Sequence, residues 1–191
     1  MLRTFLAIDL DERFLQAADA LAVGLRAEVL PRARWVARSN MHVTLRFLGA
    51  TDESLVPSLG ALVARIGSIA RGPIEPLSTS LVAFPHPKRA RVLGLHIDDG
   101  GVLMDLASAA EREVVELGFA PEERTFRPHV TLARFRQPAD LRRLFVARST
   151  PPPTGRLTSL TLYRSELGGE APVYSALARF DLALGCAGPP V

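Results

Sequence analysis

The stretch His42-Val43-Thr44-Leu45 occurs a second time as His129-Val130-Thr131-Leu132, nearly half of the 191-residue chain later. In a β-strand, side chains two residues apart lie on the same face, so the histidine and the threonine of each copy point one way while the valine and the leucine face a hydrophobic core. The chain has only 4 histidines. Two of them therefore begin the same tetrapeptide, and each copy presents an imidazole and a hydroxyl group from a strand.

The sequence around the two copies predicts strands and helices joined by tight turns. Besides the second copy, we predict strands over residues 4–10, 34–36, 42–49, 77–84, 90–97, 157–163 and 173–184, and helices over 12–29, 53–69, 102–117 and 139–147. Because hairpin turns recur, the prediction is an α+β fold with two antiparallel sheets and flanking helices. The spacing of the copies predicts a single domain over residues 1–191 with two similar lobes, each carrying one copy, around a central cleft.

The composition is that of an ordinary folded protein, with 48% hydrophobic and 23% charged residues. The net charge of +3 permits a nucleic-acid partner without requiring one. The single cysteine, Cys186, excludes an internal disulfide and a cysteine-based zinc cluster. The short apolar run at the N-terminus is interrupted by Asp9 and Asp11, and no run approaches the length of a membrane-spanning helix, so we expect a cytoplasmic protein without a membrane partner.

Two histidines on facing strands suit the hydrolysis of a phosphodiester. The reaction needs a base on the attacking water and an acid on the leaving oxygen, and an imidazole populates both protonation states near neutral pH. The hydroxyl groups of Thr44 and Thr131 can stabilise the charge that develops on the phosphate oxygens. The residues themselves do not decide whether His42 or His129 is the acid.

Neither copy has a carboxylate beside its histidine, and Glu122 and Glu123 lack the spacing of metal ligands. We therefore expect a site without a metal ion or another cofactor. The two remaining histidines are expected to have other roles, His86 in a solvated turn between two prolines and His96 as a structural residue of an apolar strand.

Four further residues are candidates for binding a substrate. Arg46 keeps the face of His42 by strand alternation, whereas Arg134 falls on the opposite face from His129 unless a bulge intervenes. Both are candidates for binding phosphate. Trp35 and Phe84 could stack on a base, although each could equally belong to the core.

Taken together, the chain resembles the 2H phosphoesterases, and within them the RNA 2′,3′-cyclic phosphodiesterase branch, historically called 2′-5′ RNA ligases. The resemblance rests on the paired His-x-Thr-x motifs and extends over nearly the whole chain. The matching stretches are Arg3–Leu10, Arg34–Val36, Asn40–Gly49, Ala83–Pro85, Phe126–Arg134 and Leu162–Leu167. It implies a bilobal α+β fold with pseudo-twofold symmetry and a metal-independent phosphodiesterase site in the cleft.

By this resemblance, the expected reaction opens an RNA-terminal 2′,3′-cyclic phosphate to a 2′-phosphomonoester. His42 would be the proton donor to the 3′ oxygen, and His129 the proton acceptor that activates water. Thr44 and Thr131 would hold the phosphate, and Arg134 matches an arginine that assists substrate binding in the family.

Two alternatives remain open at the level of sequence. One is the joining of RNA (tRNA) halves through a 2′-5′ bond, in which a 5′-hydroxyl end takes the place of water as the attacking group. The other is an RNA-end binding module without turnover. In each case the expected partner is RNA with a cyclic-phosphate end, whether tRNA fragments or small cyclic nucleotides, and the expected state is a monomer.

Overall fold

The computed structural model describes residues 1–26, 33–146, 155–166, 168–169 and 171–187. It is an α+β structure in which the strands form an antiparallel sheet covered by helices. The strands are β1 (Leu2–Leu10), β2 (Ala33–Trp35), β3 (Val43–Thr51), β4 (Ser78–Phe84), β5 (Ala90–Asp98), β6 (His129–Ala139), β7 (Leu157–Glu166), β8 (Val173–Asp181) and β9 (Cys186–Ala187). The helices are α1 (Glu12–Arg26), α2 (Val56–Gly67), α3 (Val102–Glu116) and α4 (Arg142–Phe145), and short 3₁₀ turns lie at Arg38–Asn40, Glu53–Leu55 and Pro87–Arg89.

The two sheets predicted from the sequence are one continuous sheet in the described part of the chain, with the order β4-β5-β6-β3-β1-β7-β8-β9 and with β2 paired to β6. The prediction of two separate sheets is wrong because the strands that carry the two motif copies, β3 and β6, lie side by side. They are joined by one residue pair, Val43 with Val130. The sheet therefore has two halves, β4-β5-β6 with β2 and β3-β1-β7-β8-β9, and this narrow junction connects them.

One hydrophobic core underlies both halves. Strand β1 is buried over Thr4–Ile8 because it lies between β3 and β7 and is covered by packed side chains. Helices α2 and α3 pack against each other, α2 against β7 and β8 and α3 against β3, while α1 contacts β6. The helices thus hold the Val43 and Val130 side chains, which are fully buried, and leave the opposite faces of the motif strands for polar residues.

Most predicted elements are confirmed, and the differences lie at their ends. The side chain of Asp11 caps α1 by accepting a hydrogen bond from the Phe14 backbone N–H at 2.8 Å. The helix predicted from residue 53 begins with a 3₁₀ turn capped by Asp52, and α2 proper starts at Val56. The predicted end of the first helix beyond Arg26 and the last residue of the helix predicted over 139–147 lie outside the described residues. None of the helices in the described part of the chain combines the length and apolar character needed to cross a bilayer.

Candidate active site

The two motif copies are neighbours in space. Because β3 and β6 run antiparallel through the pair Val43 and Val130, the residue before one valine lies beside the residue after the other. His42 is therefore next to Thr131, and Thr44 is next to His129. Each histidine thus shares the junction with the threonine of the other copy, and all four polar side chains are half-buried rather than sealed in the core.

Each copy contains a β-bulge at its leucine. Strand β1 pairs Leu6 with Arg46 and Ala7 with Thr44, which leaves Leu45 without a partner. Likewise, β5 pairs Leu93 with Ala133 and Gly94 with Thr131, which leaves Leu132 unpaired. One extra residue reverses the alternation of side chains beyond it. In both copies the residue after the leucine therefore turns away from the histidine, and the next one turns towards it.

The bulge corrects the prediction for Arg46. This residue lies on the side of β3 that faces α3, where Nε forms a 2.5 Å ion pair with Glu111. The other two guanidinium nitrogens donate to the backbone carbonyls of Phe47 and Ala120. Arg46 is a buried structural residue that joins β3 to α3 and the loop after it, and it is not part of the site. Phe47, on the other face, packs against Phe5 at 5.8 Å and remains half exposed.

The bulge at Leu132 turns Arg134 towards the face of His129. The prediction for Arg134 required such a bulge. A cavity of about 270 Å³ lies beside the junction, and its lining includes His42, Thr131 and Arg134. Trp35 lines the same cavity from β2, as does Tyr174 from β8. His42 and three other candidate residues, Thr131, Arg134 and Trp35, thus border one space that is large enough for part of a nucleotide.

His42 is held in an aromatic cage. Its ring stacks on Phe5 with centroids 5.0 Å apart and meets the edge of Tyr174 at 5.4 Å. Tyr163 also stacks on Phe5, at 5.3 Å, and its ring centroid lies 6.3 Å from that of His42. The Nε2 atom of His42 is hydrogen-bonded to Oγ1 of Thr44 at 3.0 Å. The ring therefore has a fixed plane and a fixed polar partner within its own motif.

The electrostatic surroundings of His42 act in two directions. The pKa of His42 is lowered to about 4, chiefly by burial, and the positive charges of Arg134 and His129 contribute to the lowering. The carboxylate of Asp9 and a hydrogen bond to the Asn40 backbone oppose it. In the free protein His42 is therefore neutral at neutral pH, and its protonation depends on bringing a negative charge close to it.

Asp9 lies at the centre of a hydrogen-bond network that the sequence did not predict. Its Oδ2 atom accepts hydrogen bonds from Ser159 and Thr161 at 2.8 and 2.7 Å, and Oδ1 accepts one from Tyr163 at 2.8 Å. Arg179 approaches Oδ2 at 3.3 Å. These donors come from β7 and β8, strands far from Asp9 in the sequence. Only the polar alternation Ser159, Thr161, Tyr163 along a buried strand hinted at a shared face.

His129 has a different neighbourhood. Its Nδ1 is hydrogen-bonded to the backbone oxygen of Arg127 at 2.7 Å, and the ring of Phe84 lies 4.7 Å away. Burial lowers the pKa of His129, the hydrogen bond with Arg127 opposes this, and Arg134 and His96 lower it further. A Cβ atom at Gly94 would lie 3.2 Å from the His129 ring. A glycine at this position therefore gives the ring its space.

A second cavity, of about 730 Å³, opens next to His129. It is lined by Phe84 and by three arginines, Arg91, Arg124 and Arg127. Phe84, predicted to bind substrate, is thus separated from Trp35 and borders the space on the other side of the motif pair.

The two remaining histidines lie where the sequence predicted. His86 is exposed, and Nδ1 of His96 is hydrogen-bonded to the backbone oxygen of Pro128 at 2.8 Å. Within the described ranges, no group of at least three histidine, cysteine, aspartate or glutamate residues is placed to hold a metal ion.

The chain is similar to a family of known proteins over most of its length. Residues 12–169 match the model of the 2′-5′ RNA ligase superfamily. An RNA 2′,3′-cyclic phosphodiesterase of Aeropyrum pernix is 34% identical over 143 residues, which is 72% of this chain and 80% of that protein. Another RNA 2′,3′-cyclic phosphodiesterase, from Methanothermobacter thermautotrophicus, is 29% identical over 94% of this chain and 98% of its own length.

The fold is also found among solved structures. The crystal structure of E. coli LigT complexed with 3′-AMP superposes with a TM-score of 0.72 at 27% identity, covering 95% of this chain and 98% of that one. The similarity therefore spans both halves of the sheet and the junction between them.

Proposed function

This chain belongs to the 2′-5′ RNA ligase superfamily, and from that premise we propose that it hydrolyses RNA-terminal 2′,3′-cyclic phosphate to a 2′-phosphomonoester without a metal ion. The relatives from Aeropyrum pernix and Methanothermobacter thermautotrophicus carry the name of this activity. The complex of E. coli LigT with 3′-AMP supports a nucleotide site in the shared fold.

The observation that carries the proposal is the antiparallel pair Val43 and Val130. It brings two imidazoles and two hydroxyls from distant parts of the chain to one junction. A cyclic phosphate bound there would meet a histidine on each side, which is what in-line attack by water and departure of the 3′ oxygen require.

In this mechanism His42 donates a proton to the leaving 3′ oxygen, and His129 accepts a proton from the attacking water. Burial lowers the pKa of both rings, and Arg134 lowers both further, so the support for this division comes from the one neighbour that differs. Asp9 on β1 favours the protonated form of His42, whereas His96, paired with His129 across β5 and β6, disfavours a proton there. The negative charge of the bound phosphate would further raise the pKa of His42.

Thr44, Thr131 and Arg134 would bind the non-bridging phosphate oxygens. Hydroxyl and guanidinium donors stabilise the charge that develops there during attack. Arg134 and Thr131 line the cavity that includes His42, and Thr44 is hydrogen-bonded to that histidine. Trp35 and Tyr174, which line the same cavity, offer aromatic faces for the terminal nucleoside.

The two halves of the sheet would act as two lobes of one domain related by an approximate twofold axis. Equivalent positions support this relation. Ala7 pairs with Thr44 as Gly94 pairs with Thr131, and the unpaired leucine follows the threonine in both copies. Each lobe then contributes one histidine and one threonine to a shared phosphate site.

The test is an assay of the purified protein on an oligonucleotide with a 2′,3′-cyclic phosphate end, in the presence of a chelator, with identification of the product. We expect a 2′-phosphate end and an unchanged rate in chelator. Loss of the activity in chelator with recovery on adding zinc would refute the metal-independent mechanism, and a 3′-phosphate product would refute the assigned leaving group. Adding a 5′-hydroxyl oligonucleotide measures joining in the same reaction, and we expect hydrolysis to dominate because water is in large excess.

A further inference from the structure

The first cavity, the space of about 270 Å³ beside His42, has more positive charge in its lining than the proposed reaction uses. The lining includes Arg134, which is proposed to bind the reacting phosphate, and two further arginines, Arg34 and Arg136. A 2′,3′-cyclic phosphate is a diester with a single negative charge, and one guanidinium group is enough to match it. The proposed reaction therefore gives no role to the other two guanidinium groups.

These three arginines lie next to one another on one face of the sheet. Arg34 on β2 is paired directly with Arg134 on β6, and directly opposite residues of antiparallel strands have their side chains on the same face. Arg136 follows Arg134 by two residues, with the buried Phe135 between them, so it shares that face at about 7 Å along the strand. All three side chains are exposed, which places them at the mouth of the cavity.

This arrangement has an electrostatic cost in the absence of a ligand. Like charges that lie directly opposite each other on neighbouring strands destabilise a sheet. Neither Arg134 nor Arg136 forms an ion pair with another residue in the part of the chain that the structure describes. By contrast, Arg65 and Arg142 each pair with a carboxylate. Cationic side chains held close together in spite of their repulsion are typical of a surface that binds anions.

The covalent structure of the substrate decides on which side of the reacting phosphate the RNA chain lies. In the proposed mechanism the 3′ oxygen leaves towards His42, and water attacks from the side of His129. The ribose that carries the 3′ oxygen therefore lies in the first cavity, with Trp35 and Tyr174. The same ribose carries the 5′ oxygen, through which the preceding nucleotide is attached. The phosphate on that oxygen must therefore lie on the side of His42 as well.

We propose that Arg34 and Arg136 bind the phosphate on the 5′ oxygen of the terminal nucleoside, while Arg134 binds the cyclic phosphate. The inference rests on the proposed function, because that function places the reacting phosphate beside His42. A cavity of about 270 Å³ holds only part of a nucleotide, so the 5′ phosphate lies at its mouth, where the two arginines are. The preferred substrate is then an RNA end of at least two nucleotides, and a cyclic mononucleotide with a 5′-hydroxyl group is a poorer one.

The test compares three substrates that differ only at the 5′ oxygen. They are adenosine 2′,3′-cyclic phosphate, its 5′-phosphorylated form and a dinucleotide that ends in the same cyclic adenosine. For the unmodified protein, kcat/KM should be about 10-fold higher on the second and third substrates than on the first, mainly through KM, because a charge-assisted contact is added. The second substrate has the phosphate as a monoester and the third as the diester of an RNA chain. An advantage confined to the monoester would overturn the assignment of an RNA chain.

Three variants identify the residues that bind this phosphate: Arg34→Gln, Arg136→Gln and the double substitution. The measured quantity is the ratio of kcat/KM on the dinucleotide to kcat/KM on the cyclic mononucleotide, so a general loss of activity or of folded protein does not change it. The ratio should fall in each single variant and to less than about twofold in the double variant. An undiminished ratio in the double variant would overturn the proposal.

Arg124→Gln is the matched control, because Arg124 is an exposed arginine that lines the other cavity, beside His129. This variant loses the same charge on the side of the attacking water, so it should keep the full ratio. A fall as large as that in the double variant would overturn the assignment, because the preference for a 5′ phosphate would then come from the overall positive charge of the protein.

Failure of the proposed function would look different, because the unmodified protein would then be inactive on all three substrates. Calorimetric titration with adenosine 2′-phosphate and with adenosine 2′,5′-bisphosphate would test the binding of the 5′ phosphate independently. About 10-fold tighter binding of the bisphosphate, lost in the double variant and kept in Arg124→Gln, would support the assignment. Equal binding of the two ligands by the unmodified protein would refute it.

Discussion

The two halves of the sheet repeat one framework and differ in what surrounds it. Both copies have the same tetrapeptide, the same unpaired leucine and the same buried valine at the junction. Around His42 three aromatic rings lie close together, and a carboxylate lies on the adjacent strand. Around His129 the neighbours are one aromatic ring, Phe84, together with arginines and a further histidine. The strand pairing thus places the two rings in similar positions, and the surrounding side chains give them different electrostatic environments.

The two strands also differ at the position two residues beyond the bulge. Phe47 in the first half and Arg134 in the second both lie two residues beyond the unpaired leucine and face the site. One half therefore presents a phenyl ring where the other presents a cation. The two motif strands therefore share a backbone pattern and differ in the side chains at matching positions.

The largest expected effect comes from removing either ring. We expect His42→Ala and His129→Ala each to lower kcat by about 10³-fold or more, because each removes one side of the acid–base pair. His86→Ala, at an exposed histidine, is the control and should leave the rate unchanged. Rates are measured on the cyclic-phosphate oligonucleotide. If either variant kept more than about a tenth of the activity, the reaction would need only one histidine, and the two halves of the sheet would not form an acid–base pair.

The second effect is on the pH dependence of the free energy of unfolding, to which we expect His42 to contribute more than His129. Burial lowers the pKa of His42 from 6.5 to about 4 in the folded protein, so the unfolded chain binds this proton more tightly. The free energy of unfolding should therefore fall as the pH drops from 6.5 towards 4. Since one pKa unit corresponds to about 1.4 kcal/mol, the loss is at most roughly 3 to 4 kcal/mol.

Denaturant unfolding at several pH values checks this expectation. His42→Gln cannot take up the proton and should flatten the dependence more than His129→Gln does, because the first ring has the deeper aromatic surroundings. An identical pH dependence in the unmodified protein and in His42→Gln would show that burial of this ring has no electrostatic cost.

The third effect concerns the two equivalent positions after the bulge. Arg134→Gln should raise KM for the oligonucleotide and for the cyclic mononucleotide by about 30-fold, because a charged contact with the reacting phosphate is lost. Phe47→Leu should change either KM by less than about threefold, since it removes an aromatic surface and no charge. Steady-state kinetics on both substrates measures this difference. Similar effects of the two substitutions would mean that the halves bind phosphate symmetrically.

The sequence predicted the strands and the histidine pair because both depend on local alternation and on a repeated tetrapeptide. It failed for Arg46 because a bulge is a property of pairing between strands, and the partner of β3 is not visible in β3 itself. For Arg134 the sequence predicted the face of His129 only if a bulge lay between the two residues. The pairing of β6 with β5, which skips Leu132, provides that bulge. The network around Asp9 was missed for the same reason, since its donors come from β7 and β8.

The smallest expected effect is the one that distinguishes acid from base. Asp9→Asn keeps the shape of the side chain and removes the charge that favours a proton on His42. If His42 is the acid, activity at alkaline pH should fall by about threefold, which corresponds to roughly half a pKa unit, while activity at acidic pH stays the same. If His42 were the base, activity at acidic pH would rise instead and the alkaline values would not change.

His96→Asn is the matching substitution in the other half. It removes a group that disfavours a proton on His129, so with His129 as the base, activity at acidic pH should fall and alkaline activity should not change. Full pH profiles of kcat/KM on the 2′,3′-cyclic mononucleotide are the measurement, because the reacting phosphate is the only phosphate of that substrate. A purely structural role for Asp9 or His96 would lower activity by the same factor at every pH. If Asp9→Asn changes only the activity at alkaline pH and His96→Asn only the activity at acidic pH, then these two side chains, which occupy equivalent positions, determine which ring is the acid and which is the base.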